Sequence, residues 1–216
     1  EYIRKSVEAF NVTSAEMLNY EADDLIATYT DKIINELITT LKPFDKIDEF
    51  SNLPGIYFIG FNGENFQFPS QVDIVSTGDI IYVGKTEKSQ KSRDANTHFK
   101  SGKTGSSTLR RSVGAILRNK LELKPIPRSQ NEIKMRDFKF IEESEKKLTK
   151  WMIKNLSLSF YEVTEGKRYL KLLENQLIEL LTPILNISKN KGNPFLRDLK
   201  ELRRQCRDIA RTSKYL

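Results

Sequence analysis

The chain has 216 residues, 36 Lys+Arg against 29 Asp+Glu, a formal net charge of +7 and a pI near 9.3. No apolar run approaches the ~20 residues that span a bilayer, no signal-like N-terminus is visible, and the single cysteine, Cys206, can form no internal disulfide. A membrane protein and a disulfide scaffold are excluded; a reducing, cytoplasmic setting and a polyanionic partner are expected.

The charge is uneven. Residues 1–50 hold five Lys+Arg against eleven Asp+Glu, and residues 51–216 hold 31 against 18. An acidic arm is a poor surface for a polyanion, so the partner is expected on the remainder. Three segments follow: an acidic helical arm (1–50), a catalytic domain (51–190) with insertions at about 62–79 and 121–157, and a basic helix (191–216).

Residues 14–41 predict one or two helices, with Ser14 as N-cap, Glu16 and Glu21 early, and Leu25, Ile33, Ile34, Leu37, Ile38 and Leu41 at helical spacing. Pro43 closes the segment, and 44–53 reads as a linker or short helix. Residues 55–61 and 80–84 predict two strands rich in Ile, Tyr, Phe and Val. Tyr57, Ile59 and Phe61 share one face of the first, and Ile80 and Tyr82 one face of the second, so an antiparallel pair presents both tyrosines on one surface. The connection at 62–79 is long for a hairpin and reads as a surface excursion.

After Gly84 the chain turns basic: residues 85–111 carry eight Lys/Arg and two acids. A short helix is expected over 91–100, and a second from Ser106 or Ser107 to about Asn119. Pro125 and Pro127 interrupt. Residues 142–155 predict an amphipathic helix, 158–163 a third strand, 168–181 a helix containing Glu174, and 195–212 a last helix. The order predicts an α+β fold: a small, mostly antiparallel three-stranded sheet flanked by helices.

The chemistry concentrates in a few residues. Tyr57 and Tyr82 lie in the strings Gly55-Ile56-Tyr57 and Tyr82-Val83-Gly84, where each glycine admits a close neighbour. Glu174 sits among Leu170, Leu172, Leu173, Leu177, Ile178, Leu180 and Leu181, a helix apolar almost all round and therefore expected to be buried. A carboxylate there costs several kcal/mol unless it is paired or bound to a cation. Singly, each tyrosine also reads as a sheet-filling aromatic, and Glu174 as the polar stripe of a surface helix. Together, two phenols, one acid and a basic intervening stretch are what metal-assisted phosphodiester cleavage needs.

In this order the motifs resemble the GIY-YIG nuclease family over roughly residues 53–187: GIY, YVG, a downstream Arg, then Leu-Leu-Glu-Asn-Gln-Leu-Ile and Pro-Ile-Leu-Asn. The resemblance implies a DNA endonuclease with N- and C-terminal helical additions. It implies that Glu174 alone holds a divalent metal, magnesium or manganese, that Arg93 binds the scissile phosphate, and that Lys85 follows the second tyrosine as a nearby cation. Asn186 then orients backbone or tyrosine rather than doing chemistry. Tyr57 is favoured as the base for the attacking water, with Tyr82 on the phosphate side. Two spacings depart from the family. Tyr82 to Arg93 is one residue longer than usual, and His98 lies one residue beyond Arg-x-x-x-His, which leaves His98 either a phosphate donor or an ordinary helix residue. The wrapping of the core in helices implies a restriction-type enzyme; a structure-specific repair or recombination nuclease and a non-catalytic nucleic-acid binder on the same scaffold are the alternatives.

For DNA contact, the loop Gly102–Thr108 offers amides and hydroxyls from Lys103, Ser106, Ser107 and Thr108, followed by Arg110 and Arg111. It lacks the order Gly-x4-Gly-Lys-Ser/Thr of a nucleotide-binding loop, which excludes an NTPase. In the last helix Phe195, Leu199, Leu202, Cys206 and Ile209 form an apolar stripe. Lys200, Arg204, Arg207 and Arg211 form a basic one, with Arg204 and Arg207 expected on the DNA backbone. The acidic arm is a candidate homodimer or partner surface.

Overall fold

The computed structural model of the chain describes residues 22–63, 78–129 and 137–213. Ser14, Glu16, Glu21 and most of the 62–79 excursion lie outside the described residues. Helix α1 (Ala22–Thr39) leads into a two-residue strand, β1 (Lys42–Pro43), a 3-10 turn (Phe44–Lys46) and then β2 (Gly55–Phe61) and β3 (Ile80–Thr86). A wide, π-type helix (Lys91–His98) and a 3-10 turn (Thr104–Ser106) precede α2 (Thr108–Leu117). Strands β4 (Pro125–Pro127) and β5 (Phe138–Phe140) form a separate antiparallel pair. Helix α3 (Glu142–Asn155) runs directly into β6 (Leu156–Glu162), followed by α4 (Lys167–Leu181) and α5 (Leu196–Thr212).

The main sheet is antiparallel with the order β1-β6-β2-β3, so the expected three strands gain a fourth, very short one. Every residue of central strand β2 is buried, because helices cover both faces. One face packs Ile56, Phe58 and Val83 against Ile33 and Leu37 of α1 and Leu170, Leu173 and Leu177 of α4. The other packs Tyr57, Ile59, Phe61 and Tyr82 against Leu109 and Val113 of α2, Leu148 and Met152 of α3, and Leu199 and Cys206 of α5. Each such side chain contributes about 1.5–3 kcal/mol by leaving water. Helix α5 thus belongs to the same core as the tyrosines. No helix among the described residues is long and apolar enough to cross a membrane.

Three details depart from the pattern reading. Ile80 and Tyr82 do not share a face: the register slips between Ile59 and Gly60, so Ile81 joins the tyrosine core while Ile80 packs with α4. Helix α4 is not buried all round; Leu172 and Leu180 are exposed, since one sheet face can cover only one stripe of a helix. In α5 the buried stripe is Leu199, Arg203, Cys206 and Ala210, and Ile209 faces out.

Candidate active site

The sheet places the first tyrosine. Tyr57 pairs with Gly84 and Ile59 with Tyr82, so the two phenols are diagonal neighbours on one face, with ring centroids 6.2 Å apart and planes 27° from parallel. The Tyr57 ring lies directly over Gly84; a Cβ there would sit 2.3 Å from both Cζ and the phenol oxygen. Gly55 answers a similar need on the other side, where a Cβ would meet the Tyr161 carbonyl at 2.2 Å.

The π-type helix supplies the next two groups. Its bonds run from residue i to i+5, as in Phe99 N–H to the Asp94 carbonyl (2.9 Å). Residues five apart therefore stack, and Arg93 and His98 both reach Tyr57. Arg93 Nε donates to the phenol oxygen at 3.3 Å, and His98 Nε2 lies 2.8 Å from it. The extra residue between Arg93 and His98 is absorbed by the wider turn. The other extra residue falls in the turn at 86–90, where the Thr86 hydroxyl donates to the Ser89 carbonyl and buried Gln90 accepts from the Ser51 amide.

Ser107 completes the chain. Its hydroxyl caps α2 by accepting the Arg110 amide (3.1 Å), and it lies 2.7 Å from His98 Nδ1. Ser107 is fully buried, and His98 Nδ1 is the acceptor among the described residues that its hydroxyl hydrogen can reach. That hydrogen therefore goes to Nδ1, which fixes the proton of the imidazole on Nε2 and makes His98 a donor to Tyr57. Burial, then the Arg93 and Arg110 charges, hold His98 well below the ordinary histidine range, so it stays neutral. Burial raises Tyr57 well above the usual phenol value; the Tyr82 and Asp94 charges add to the rise and Arg93 opposes it. Tyr82 is raised by burial as well.

Asp94, which sequence reading missed, is fully buried beside Arg93 and Tyr57, and neither carboxyl oxygen has a hydrogen-bond partner among the described residues. Burial holds its carboxyl well above the ordinary range, with Arg93 opposing. Its signal in sequence is nil, because an acid after an arginine on a short polar helix reads as solvated.

Glu174 approaches from the other side of the sheet, around edge strand β3, which α4 contacts. Its side chain is 18 % exposed and it receives no hydrogen bond from the described residues; Lys189 Nζ is 3.8 Å away. Burial raises this carboxyl, opposed by Lys189, Lys85 and Arg93, and its charge in turn bears on Tyr82. Lys85 lies on this side, ion-paired with Glu87, and its charge bears on Glu174. No group of three or more His, Cys, Asp or Glu side chains capable of holding a metal occurs among the described residues. A carboxylate that accepts no hydrogen bond from the described residues and has only Lys189 as a distant ion partner still suits magnesium, which keeps most of its waters and takes one or two protein carboxylates.

Asn186 is engaged with backbone. Its side chain pairs with the edge strand, accepting the Val83 amide (2.9 Å) and donating to the Val83 carbonyl (2.7 Å), next to a Leu185 amide bond to the Ile81 carbonyl.

The expected DNA contacts divide. Lys103 and Ser106 are exposed, and Thr108 and Arg111 half-buried. Ser107 faces inward as described. Arg110 has no solvent exposure: its Nη2 pairs with Glu145 at 2.6 Å, Nε donates to Thr104, and Nη1 donates to the His98 carbonyl at 3.1 Å. Glu145 also accepts from Gly102, Thr104 and the Phe140 amide. Arg110 is thus a buried strut under the histidine, not a surface contact. Arg204 is exposed but neutralised by Glu201 and Asp208, at 2.7 and 3.0 Å. Arg207 is half-buried and makes no ion pair among the described residues.

A family model described as the GIY-YIG catalytic domain matches residues 55–205, more than half of the chain. No curated protein and no solved structure matches it.

Proposed function

Because the chain belongs to the GIY-YIG catalytic domain family it is a nuclease, and we propose that it is a metal-dependent DNA endonuclease of restriction type. The observation that carries this reading is the Tyr57 phenol oxygen, hydrogen-bonded to both Arg93 and His98 at the edge where the Glu174 carboxylate arrives. Helices of the same chain enclose the site, which supports a self-contained, sequence-specific enzyme.

Two donors on the Tyr57 oxygen leave it room for one further proton. The ionised Tyr57 oxygen, its charge stabilised beforehand by Arg93 and His98, takes a proton from a water that attacks phosphorus in line, and becomes the neutral phenol. The P–O3′ bond breaks and O3′ takes a proton from solvent water, leaving a 5′-phosphate and a 3′-hydroxyl. Tyr82 and the remaining Arg93 N–H groups face the nonbridging oxygens. When bound at Glu174, a divalent cation would stabilise negative charge on the leaving oxygen. Lys189, then Lys85, oppose the burial that raises the Glu174 carboxyl on that side of the edge.

The test is cleavage of plasmid and genomic DNA with magnesium or manganese, with EDTA, and with Glu174→Ala. Metal-dependent discrete fragments, lost in the variant, support the proposal. Cutting confined to flaps or branches favours a repair or recombination enzyme, and no cleavage of any DNA with either metal favours a binder.

A further inference from the structure

An arginine interrupts the apolar stripe of α5. Arg203 sits between Leu199 and Cys206 on the face packed against α2, with only 9 % of its surface exposed. It makes no hydrogen bond or ion pair among the described residues. The carboxylate nearest in effect, Asp137, is already shared by Arg111 (3.5 Å) and Arg128 (3.4 Å). A guanidinium nine-tenths buried without an anion is costly, and a methionine would fill the same stripe at no such cost.

Its surroundings state which anion is missing. Arg111 and Arg207 flank Arg203 and repel it, Arg93 bears on Arg111, and Tyr82 lies in range of both Arg111 and Arg203. Burial first, then Arg111 and Arg207, drive Arg203 down to about 10, with Asp137 and Tyr82 opposing. The cluster therefore continues directly from the tyrosine pair along the α2–α5 seam. Arg203 and Arg207 make no ion pair among the described residues and Arg111 shares its one acid with Arg128, whereas Arg204 has two acids to itself.

We propose that Arg203, with Arg111 and Arg207, is a second phosphate site that takes a backbone phosphate of the DNA strand next to the one being cut. This rests on the nuclease reading above. It assigns the role expected of Arg204 to its buried neighbour, and it accounts for a charge the fold itself does not need.

The test uses the full chain and a mixed-sequence duplex in EDTA, with binding followed by fluorescence anisotropy from 50 to 200 mM salt, beside thermal melting. Arg203→Met should weaken binding roughly tenfold, as loss of a charged hydrogen bond does, and reduce the slope of log affinity against log salt by about one. Its Tm should hold or rise. Lys32→Gln, which removes a charge on α1, is the comparison for a non-specific change in net charge. An unchanged slope in Arg203→Met with normal wild-type binding overturns this inference alone, as does a slope change no larger than that of Lys32→Gln. A fall in Tm also overturns it, since the guanidinium would then serve the fold. A wild type that binds no duplex at any salt removes the nuclease reading as well.

Discussion

The ring of Tyr57 rests on the Cα of Gly84, its cross-strand partner, so the second motif's glycine is the floor under the first motif's tyrosine. Adding one methyl group at residue 84 must displace the phenol from Arg93 and His98. Gly84→Ala should lower kcat at least about 100-fold, the usual result of an ångström-scale misplacement. Far-ultraviolet circular dichroism should remain native. Wild-type kcat in Gly84→Ala would show that the phenol position does not matter.

Burial holds Tyr57 well above the ordinary phenol range, so below that value the basic form grows with pH. If Tyr57 takes the water proton, kcat should climb about tenfold per pH unit from pH 6 to 9 with metal saturating. Tyr57→Phe should flatten the profile as well as lower it. A flat wild-type profile over this range would exclude a phenolate base.

Ser107 both caps α2 and sets the imidazole tautomer, and the two roles separate. Ser107→Ala should cost about 1 kcal/mol of stability, the usual value of a lost cap. It should also lower kcat, because Nδ1 loses its donor and the proton is free to leave Nε2. Ser107→Gly forfeits only a few tenths of a kcal/mol as a cap, yet should lose kcat as fully as the alanine variant. Equal, wild-type kcat in both would show that the tautomer is set elsewhere.

Arg110 and Glu145 form a buried pair beneath His98, and removing one partner strands the other charge. Glu145→Ala should destabilise the fold by about 3–5 kcal/mol, measured by urea denaturation. Replacing both with Met and Leu should recover most of that loss.

Asp94 binds its proton more tightly in the folded chain than in the unfolded one. Such a group supports the fold below the ordinary carboxylate range, and that support is lost as pH rises through its elevated folded value. Asp94→Asn should therefore be more stable than wild type by about 1–3 kcal/mol at pH 7–8, and the gain should fade near pH 3. Melting curves at both pH values decide it; a loss at neutral pH would mean that Asp94 is ionised and partnered.

Much of this arrangement is legible in sequence. The alternation of Tyr57, Ile59 and Phe61 fixes the tyrosine face, and the limits expected for the helices at 142–155 and 168–181 agree with α3 and α4 to within one residue. What escapes are departures from the ideal period. A bulge turns Ile80 away from Tyr82, and a π-type turn brings Arg93 and His98 together although their spacing suits no α-helical face. The burial of Arg110 escapes for another reason: its partner, Glu145, lies 35 residues away in what reads as an insertion. Arg203 hides among arginines on its own helix, where only packing distinguishes one from the next.

The Asn186 side chain occupies the Val83 peptide on the outer rim of β3, where an unpaired strand invites a stranger. An amide so placed stands in for one residue of a missing neighbour. It discourages a second sheet from joining there, and it moors the segment leading to α5 beside Tyr82. Trimming the chain before this clasp would release the tyrosine's strand and leave a rim open to aggregation, so the shortest working fragment must extend past Asn186.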